Sequence, residues 1–228
     1  AERMRALLAG RTALDVVIVG GGLIGVEVTE SLVSSGCRVT IVEALPQILS
    51  PLDMEMAAQV ATHMKSHGVK ILTGTTVTAI KAADADPSRA GSVETTAGTL
   101  PADMVVVAVG VRPNVGLAQD CGLEIGETGA IAVDDHLRTS DADIFAIGDC
   151  AQSTNLVTGR PAYVPLGSTA NKQGRVAAIT ATGGDDTFPG ILGTSICRVF
   201  DFNVAVTGLT EREAERLGYE RCDHTVSL

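Results

Sequence analysis

The chain has 228 residues, of which 45% are hydrophobic and 19% charged, enough apolar material for one large domain or two small ones with real cores. No apolar run approaches a membrane span, and the charged start Ala1-Glu2-Arg3-Met4-Arg5 leads into no signal-type apolar core, so a soluble, cytoplasmic protein is expected. A formal net charge of −10 argues against a nucleic-acid or anionic-membrane surface, and leaves any anionic ligand to be held by local donors.

In chain order, residues 1–14 carry a short helical pattern (Met4, Leu7, Leu8) broken at Gly10, which suits a connector into the first strand. Val16-Val17-Ile18-Val19 then reads as a buried strand running straight into Gly20-Gly21-Gly22-Leu23-Ile24-Gly25 and a helix closed by Gly36. This is the spacing of a dinucleotide-binding turn. Gly20 would permit the tight turn, Gly22 would let the backbone approach a pyrophosphate, and Gly25 would let the helix sit close to the strand. The free N–H groups of the helix's first turn, with the positive end of its dipole, would hold the phosphate charge. The candidate binding residues here are Gly20, Gly22, Leu23, Ile24 and Gly25.

The next strand, Arg38-Val39-Thr40-Ile41-Val42, ends in Glu43, about twenty residues past the glycines. A carboxylate there can accept hydrogen bonds from adenosine ribose hydroxyls and would repel a 2′-phosphate, so NAD(H) is favoured over NADP(H). Pro46 and Pro51 follow, then Asp53 as the N-cap of a helix marked by Met56, Val60 and Met64 and ended by Gly68, with a strand over 69–72. His63 and His67 are spaced like a metal pair, but Met64 stands where a metalloprotease motif needs glutamate, so no metal site is expected.

From Thr75 the pattern changes to strands over 77–80 and 92–96 separated by a polar loop, 83–91, which predicts a β-hairpin excursion. Asp103-Met104-Val105-Val106-Val107-Ala108-Val109-Gly110 predicts a buried parallel strand, and Val111-Arg112-Pro113-Asn114 turns away from it. Short strands over 131–133 and 144–147 replace a further βαβ repeat, so a boundary is expected near 110–115. A helix over 166–182 with Ala170, Gly174, Ala177, Ala178 and Ala181 ends in Gly183-Gly184-Asp185-Asp186, a second boundary. A β pattern over 195–200 follows, then a helix opened by the capping box of Thr210 and Glu213. The expected fold is α/β: a Rossmann-like parallel sheet with a β-hairpin excursion, followed by further small domains. Five cysteines (37, 121, 150, 197 and 222) form no CxxC pair, which predicts a reducing compartment and small buried hydrophobes for most of them.

Four stretches together carry a family likeness: residues 17–30 with Glu43; Ala108-Val109-Gly110-Val111-Arg112-Pro113-Asn114; Thr139-Ser140-Asp141-Ala142-Asp143-Ile144-Phe145-Ala146-Ile147-Gly148-Asp149-Cys150; and Gly193-Thr194-Ser195 with Thr207-Gly208-Leu209-Thr210-Glu211. In these the chain resembles the flavin-dependent pyridine nucleotide-disulfide oxidoreductases, in particular the coenzyme A disulfide reductase, NADH oxidase and NADH peroxidase branch. The resemblance implies a connector over 1–14, an NAD(H)-binding domain over 15–110, the C-terminal part of a FAD-binding domain over 111–184, and the start of an interface domain over 185–228. It further implies that Asp149 binds the FAD ribitol, that Glu27 lies near the nicotinamide, that Gly110 lies against the cofactor, and that the helix around Ala170 aims its N–H groups at the flavin pyrimidine edge.

Members of that family carry an earlier glycine turn for the ADP part of FAD and a redox cysteine ahead of the NAD domain. The chain has one such turn and no matching cysteine motif, so it is expected to be a fragment, inactive alone and poor in FAD, with the redox cysteine elsewhere and Cys150 not catalytic. The implied activity of the longer protein, a homodimer acting on a small-molecule substrate, is hydride transfer from NADH to FAD and on to a disulfide, peroxide or oxygen. The competing reading is a non-catalytic NAD(H)-binding or sensing module that acts with a partner.

Overall fold

In the computed structural model of the chain, residues 2–10 and 13–220 are described. They divide into two compact units: one takes the residues up to Gly110 together with Ile196–Ala205 and the segment from Thr210, and the other takes Val111–Ser195 and Val206–Leu209.

The first unit opens with helix α1 (Glu2–Leu8), after which strand β1 (Asp15–Val19), helix α2 (Leu23–Ser34), strand β2 (Arg38–Val42), helix α3 (Met54–Ser66) and strand β3 (Lys70–Leu72) follow in βαβ fashion. An antiparallel excursion, β4 (Val77–Ala83), β5 (Asp86–Thr95) and β6 (Gly98–Pro101), precedes β7 (Met104–Val107). The four-stranded parallel sheet runs β3-β2-β1-β7, with Val16 opposite both Val39 and Met104. Because β1 lies between strands reached by connections in opposite directions, the strand order reverses at its carboxyl end, the place where open α/β sheets hold ligands.

A strand covered on both faces has no polar face, and β1 obeys this: Val16, Val17 and Ile18 are all buried. Helix α2 packs on β1 and β2, and α3 on β3. On Val17 and Val42 the antiparallel sheet adds Val93, Val77 and Leu100, which closes a second core layer. Burying each such aliphatic side chain contributes about 1.5–3 kcal/mol.

Several elements differ from their sequence-based expectations. The polar stretch 83–91 is mostly strand: Asp84 and Ala85 make a two-residue turn and β5 continues through Pro87, pairing with β4 by backbone bonds across register irregularities. Exposed side chains on that arm leave no alternating apolar pattern to read. β6 is a third strand, set by the turn at Thr96 and Ala97. β7 stops at Val107, which is exposed. Asp53 occupies the N-cap of α3 without capping it with its side chain, and instead its Oδ1 accepts the backbone N–H of Glu211 at 2.8 Å.

The second unit is built around helix α5 (Gly167–Ala181), preceded by the short helix α4 (Gly116–Asp120), a 3-10 turn (Gly148–Cys150) and the small strands β8 (Ser153–Thr154) and β9 (Pro161–Ala162). Segments 131–133 and 144–147 form only isolated bridges, Ile131 to Ile125 and Ala151, and Phe145 to Arg138. They are apolar because they fill two small cores, one around Ala118, Ile131 and Ala146, the other around Leu137 and Val176. To the first unit belong most of strands β10 (Ser195–Val199) and β11 (Phe202–Val206), which pair across the turn Phe200-Asp201, and helix α6 (Glu211–Arg216), which the capping box of Thr210 and Glu213 starts as expected. Cys37 and Cys197 are buried, whereas Cys121 is exposed and Cys150 half-buried; Cys222 lies outside the described residues. Among the described residues no helix is long and apolar enough to cross a membrane.

At the amino end of the sheet, Arg38 clasps Asp15 with two hydrogen bonds of 2.7 Å, and that contact holds the Asp15 carboxyl below the usual carboxylate range. A depressed folded-state pKa gives stability that is present above the unfolded value, about 4, and is lost as pH falls through the folded value. Melting temperature against pH therefore falls more steeply on the acid side for the wild type than for Asp15→Asn, whose curve lies lower at neutral pH.

Candidate functional site

Where β1 ends, the chain is pinned on both sides: Gly20 N–H donates to the carbonyl of Val42 at 2.9 Å, and Ala108 N–H donates to the carbonyl of Val19 at 2.8 Å. Gly20 has φ +105°, and a Cβ there would run into the carbonyl oxygen of Ala108. Gly25 sits against the carbonyl of Gly20 and 3.3 Å from Ile18 as measured to a built Cβ, so a side chain would push α2 off the strand. Gly22 is different. It is extended, it is the N-cap of α2, and a Cβ on it would meet nothing. Two of the three spaced glycines are thus required by the protein's own packing, and the third keeps a path to the backbone clear.

No side chain caps α2 and no acid stands in its first turn, so the positive end of the helix, at Leu23 and the exposed Ile24, is offered outward. Beside it, Glu43 Oε2 accepts the N–H of Gly21 at 2.6 Å and Oε1 accepts the N–H of Leu45 at 2.8 Å. A carboxylate has about four acceptor positions. One on each oxygen is taken, which leaves one on each for a pair of neighbouring hydroxyls. Gly21, the middle glycine, went unread in the sequence, although a Cβ there would press on Ile48 at 2.7 Å. The run of three glycines was its only signal. Leu45, Val107 and Val109 are large apolar residues left exposed at the carboxyl ends of the strands.

Glu27 lies one turn further along α2 and is exposed. Burial, and then the charge of Glu27, raise the pKa of the Cys197 thiol. Gly110 follows β7 with φ +98° and open space around it, so its conformation, not crowding, selects glycine.

Asp149 and Ala170 are brought together in the second unit. Gly148, with φ +71°, rests on the first turn of α5, where a built Cβ would lie 3.4 Å from that of Ala170. The lock is Gln173, which is fully buried: its Oε1 accepts the Gly148 N–H at 2.7 Å and its Nε2 donates to Ser153 Oγ at 3.1 Å. Sequence reading missed it, because one glutamine among small residues looks like a polar surface position. Asp149 itself is exposed, and its backbone carbonyl accepts the Tyr163 hydroxyl at 3.0 Å. Burial first, and the charge of Asp149 next, raise the Tyr163 pKa. Helix α5, like α2, has no side-chain cap and no acid in its first turn.

The family model for pyridine nucleotide-disulphide oxidoreductases matches residues 1–174. Among curated proteins, the chain is 40% identical over 207 residues to a CoA-dependent NAD(P)H sulfur oxidoreductase of Pyrococcus abyssi, covering 90% of this chain and 45% of the relative. It is 33% identical over 211 residues to an NADH oxidase of Enterococcus faecalis, covering 92% and 47%. Among solved structures, an NAD-dependent persulfide reductase from A. fulgidus matches with a TM-score of 0.90 and 41% identity over 95% of this chain and 40% of that one. A water-forming NADH oxidase from Lactobacillus brevis bound to NADH matches with a TM-score of 0.87 and 26% identity, over 96% and 47%. The chain spans about half the length of the curated relatives it matches.

The glycines separate in a stability measurement. Gly25→Ala lowers the unfolding free energy by about 1–3 kcal/mol, as overpacking against backbone does, while Gly22→Ala stays within about 1 kcal/mol. Denaturant unfolding of the two variants reads the difference. In the other unit, Gln173→Ala leaves the Gly148 N–H unpaired and costs about 1–3 kcal/mol in the same assay.

Proposed function

The chain belongs to the pyridine nucleotide-disulphide oxidoreductase family, and on that premise we propose that it forms the NAD(H)-binding portion of a flavoprotein oxidoreductase that moves hydride from NADH to FAD and on to a disulfide, peroxide or oxygen. The observation that carries the reading is Glu43, held by the N–H groups of Gly21 and Leu45 with one acceptor position left on each oxygen, beside the open backbone at Gly22. A dinucleotide with a free ribose diol fits this arrangement. Its pyrophosphate would take the uncapped start of α2 at Gly22, Leu23 and Ile24, and its vicinal hydroxyls would take Glu43.

A 2′-phosphate would replace one of those donors with a negative charge facing the carboxylate, so the proposed preference is for NAD(H) over NADP(H). The proposed roles continue with Glu27 near the nicotinamide and Gly110 against the cofactor. In the second unit, the exposed Asp149 carboxylate suits ribitol hydroxyls, and the uncapped start of α5 near Ala170 suits the flavin edge where negative charge develops on reduction. When bound, the nicotinamide supplies a hydride and the flavin accepts it; the protein's part is orientation and electrostatics.

The proposed domain division is a connector over 1–14, the NAD(H) domain over 15–110, the flavin-domain part over 111–184 and the beginning of an interface region from 185. The relatives' names support a small-molecule substrate. Homodimerisation of the longer protein, a cytoplasmic location, and the lack of a nucleic-acid or membrane partner belong to the same proposal. None of the five cysteines is assigned as the working thiol.

Titration with NADH and NADPH tests the reading at its centre. NADH binds more tightly by about 1–3 kcal/mol, the range of a charge-assisted contact; Glu43→Ala narrows the gap, and Gly22→Val abolishes binding in a chain whose circular dichroism is unchanged. Equal or tighter binding of NADPH overturns the role given to Glu43.

A further inference from the structure

Helix α3 and the turn between β10 and β11 bring three metal-ligating side chains of the first unit together: His63, His67 and Asp201, whose ligand atoms all lie within 4.8 Å of one another. The two histidines stand one helical turn apart on the same face. Their partner comes from far along the chain, which is why no local motif reported it.

The His67 ring is oriented by a backbone contact. His67 Nδ1 lies 3.0 Å from the carbonyl oxygen of His63, and a carbonyl can only accept, so the ring's N–H is on Nδ1. In the neutral ring this leaves the lone pair on Nε2, which lies 3.9 Å from Asp201 Oδ1. That carbonyl contact is the outer-shell support that ligating histidines ordinarily have. The His67 ring also stacks on Phe200 with centroids 4.1 Å apart and planes 8° from parallel, and His63 packs against Phe202 at 5.3 Å.

The backbone that carries Asp201 is held in place as well. The preceding residue, Phe200, takes φ +56°, its N–H donates to Glu30 Oε2 at 3.0 Å, and its carbonyl accepts from Arg198 Nε at 2.6 Å. His63 Nε2 lies 2.8 Å from Asp201 Oδ1, yet this nitrogen is shut off from solvent and makes no hydrogen bond of sound geometry. A simple imidazole–carboxylate hydrogen bond would align the N–H with the oxygen. Here proximity occurs without alignment, and the buried His63 Nε2 is left without a hydrogen-bond partner.

We propose that His63 Nε2, His67 Nε2 and the Asp201 carboxylate form a binding site for a divalent first-row transition ion, of which Zn²⁺ is the representative, clamping the β10–β11 hairpin to α3. Two imidazoles and one carboxylate suit Zn²⁺, Co²⁺, Ni²⁺ or Cu²⁺ and do not suit Mg²⁺ or Ca²⁺, which take oxygen ligands. With metal–ligand bonds of about 2.0–2.2 Å, tetrahedral partners stand about 3.3–3.5 Å apart. The 2.8 and 3.9 Å separations of Asp201 Oδ1 from the two rings bracket that value and all three ligand atoms lie within 4.8 Å of one another, so closing on an ion takes rotation of the exposed Asp201 side chain together with adjustment of the imidazoles, and solvent on the open side supplies the fourth ligand. The site is independent of the nucleotide reading.

The test is calorimetric titration of Zn²⁺ into the chelator-treated full chain, with Co²⁺ as the optical probe. One Zn²⁺ binds per chain, Co²⁺ gives a tetrahedral ligand-field spectrum, and Zn²⁺ raises the melting temperature. Asp201→Asn, in an exposed turn that tolerates it, and His67→Gln each weaken binding by about tenfold or more, and the double variant loses the thermal shift. A Cys222→Ser/His224→Ala chain keeps full binding. Absence of a stoichiometric Zn²⁺, or binding that the double variant leaves unchanged, overturns the proposal.

Discussion

The carboxyl end of the parallel sheet in the first unit depends on one steric constraint: at two points backbone meets backbone with no room for a side chain. Gly20 lies against the Ala108 carbonyl and Gly25 against the carbonyl of Gly20. These two approaches decide where α2 begins relative to β1, β2 and β7. With that start fixed, the N–H of Gly21 faces Glu43, the loop after β2 closes over the turn through Leu49 N–H to the Gly21 carbonyl, and Gly22 remains open. Loosen either approach and the helix end, the acid and the open backbone lose their common frame.

The parts of this arrangement that the sequence made legible are those governed by local rules. Glycine spacing after an apolar run, an acid at the next strand's end and a Thr/Glu capping box each describe a few neighbouring residues, and each is found in its expected place. What stayed hidden depends on distant partners. Asp53 looks like a helix cap but is drawn to the N–H of Glu211, a charge-assisted bond that no window around Asp53 could display. Gln173 is polar and fully buried because Gly148 and Ser153 happen to face it. The outer part of the β4–β5 arm, residues 81–91, pairs through backbone while none of its side chains is buried, so it lacks the periodicity by which strands are recognised.

Helices α2 and α5 share a start that suits an anionic ligand. Neither start has a side-chain cap or an early acid, although each forgoes a contribution of about 1 kcal/mol by this. By contrast α6, with its capping box, spends its first-turn donors internally. The short helix α4 is likewise without a side-chain cap or an early acid, so an open start alone does not mark a binding end.

The double engagement of Glu43 has an evolutionary consequence. An acid whose sole task was to meet a ribose could be exchanged for a small or basic residue with little harm to the scaffold, and cofactor choice would drift freely. Here the same carboxylate ties the glycine turn to the loop after β2. Any lineage that traded it away would strand two backbone donors at once and would need new acceptors nearby before the altered preference became tolerable. Under the role proposed for Glu43, cofactor identity is coupled to loop integrity, and a change in one is expected to come only with compensating changes in the segment 44–53.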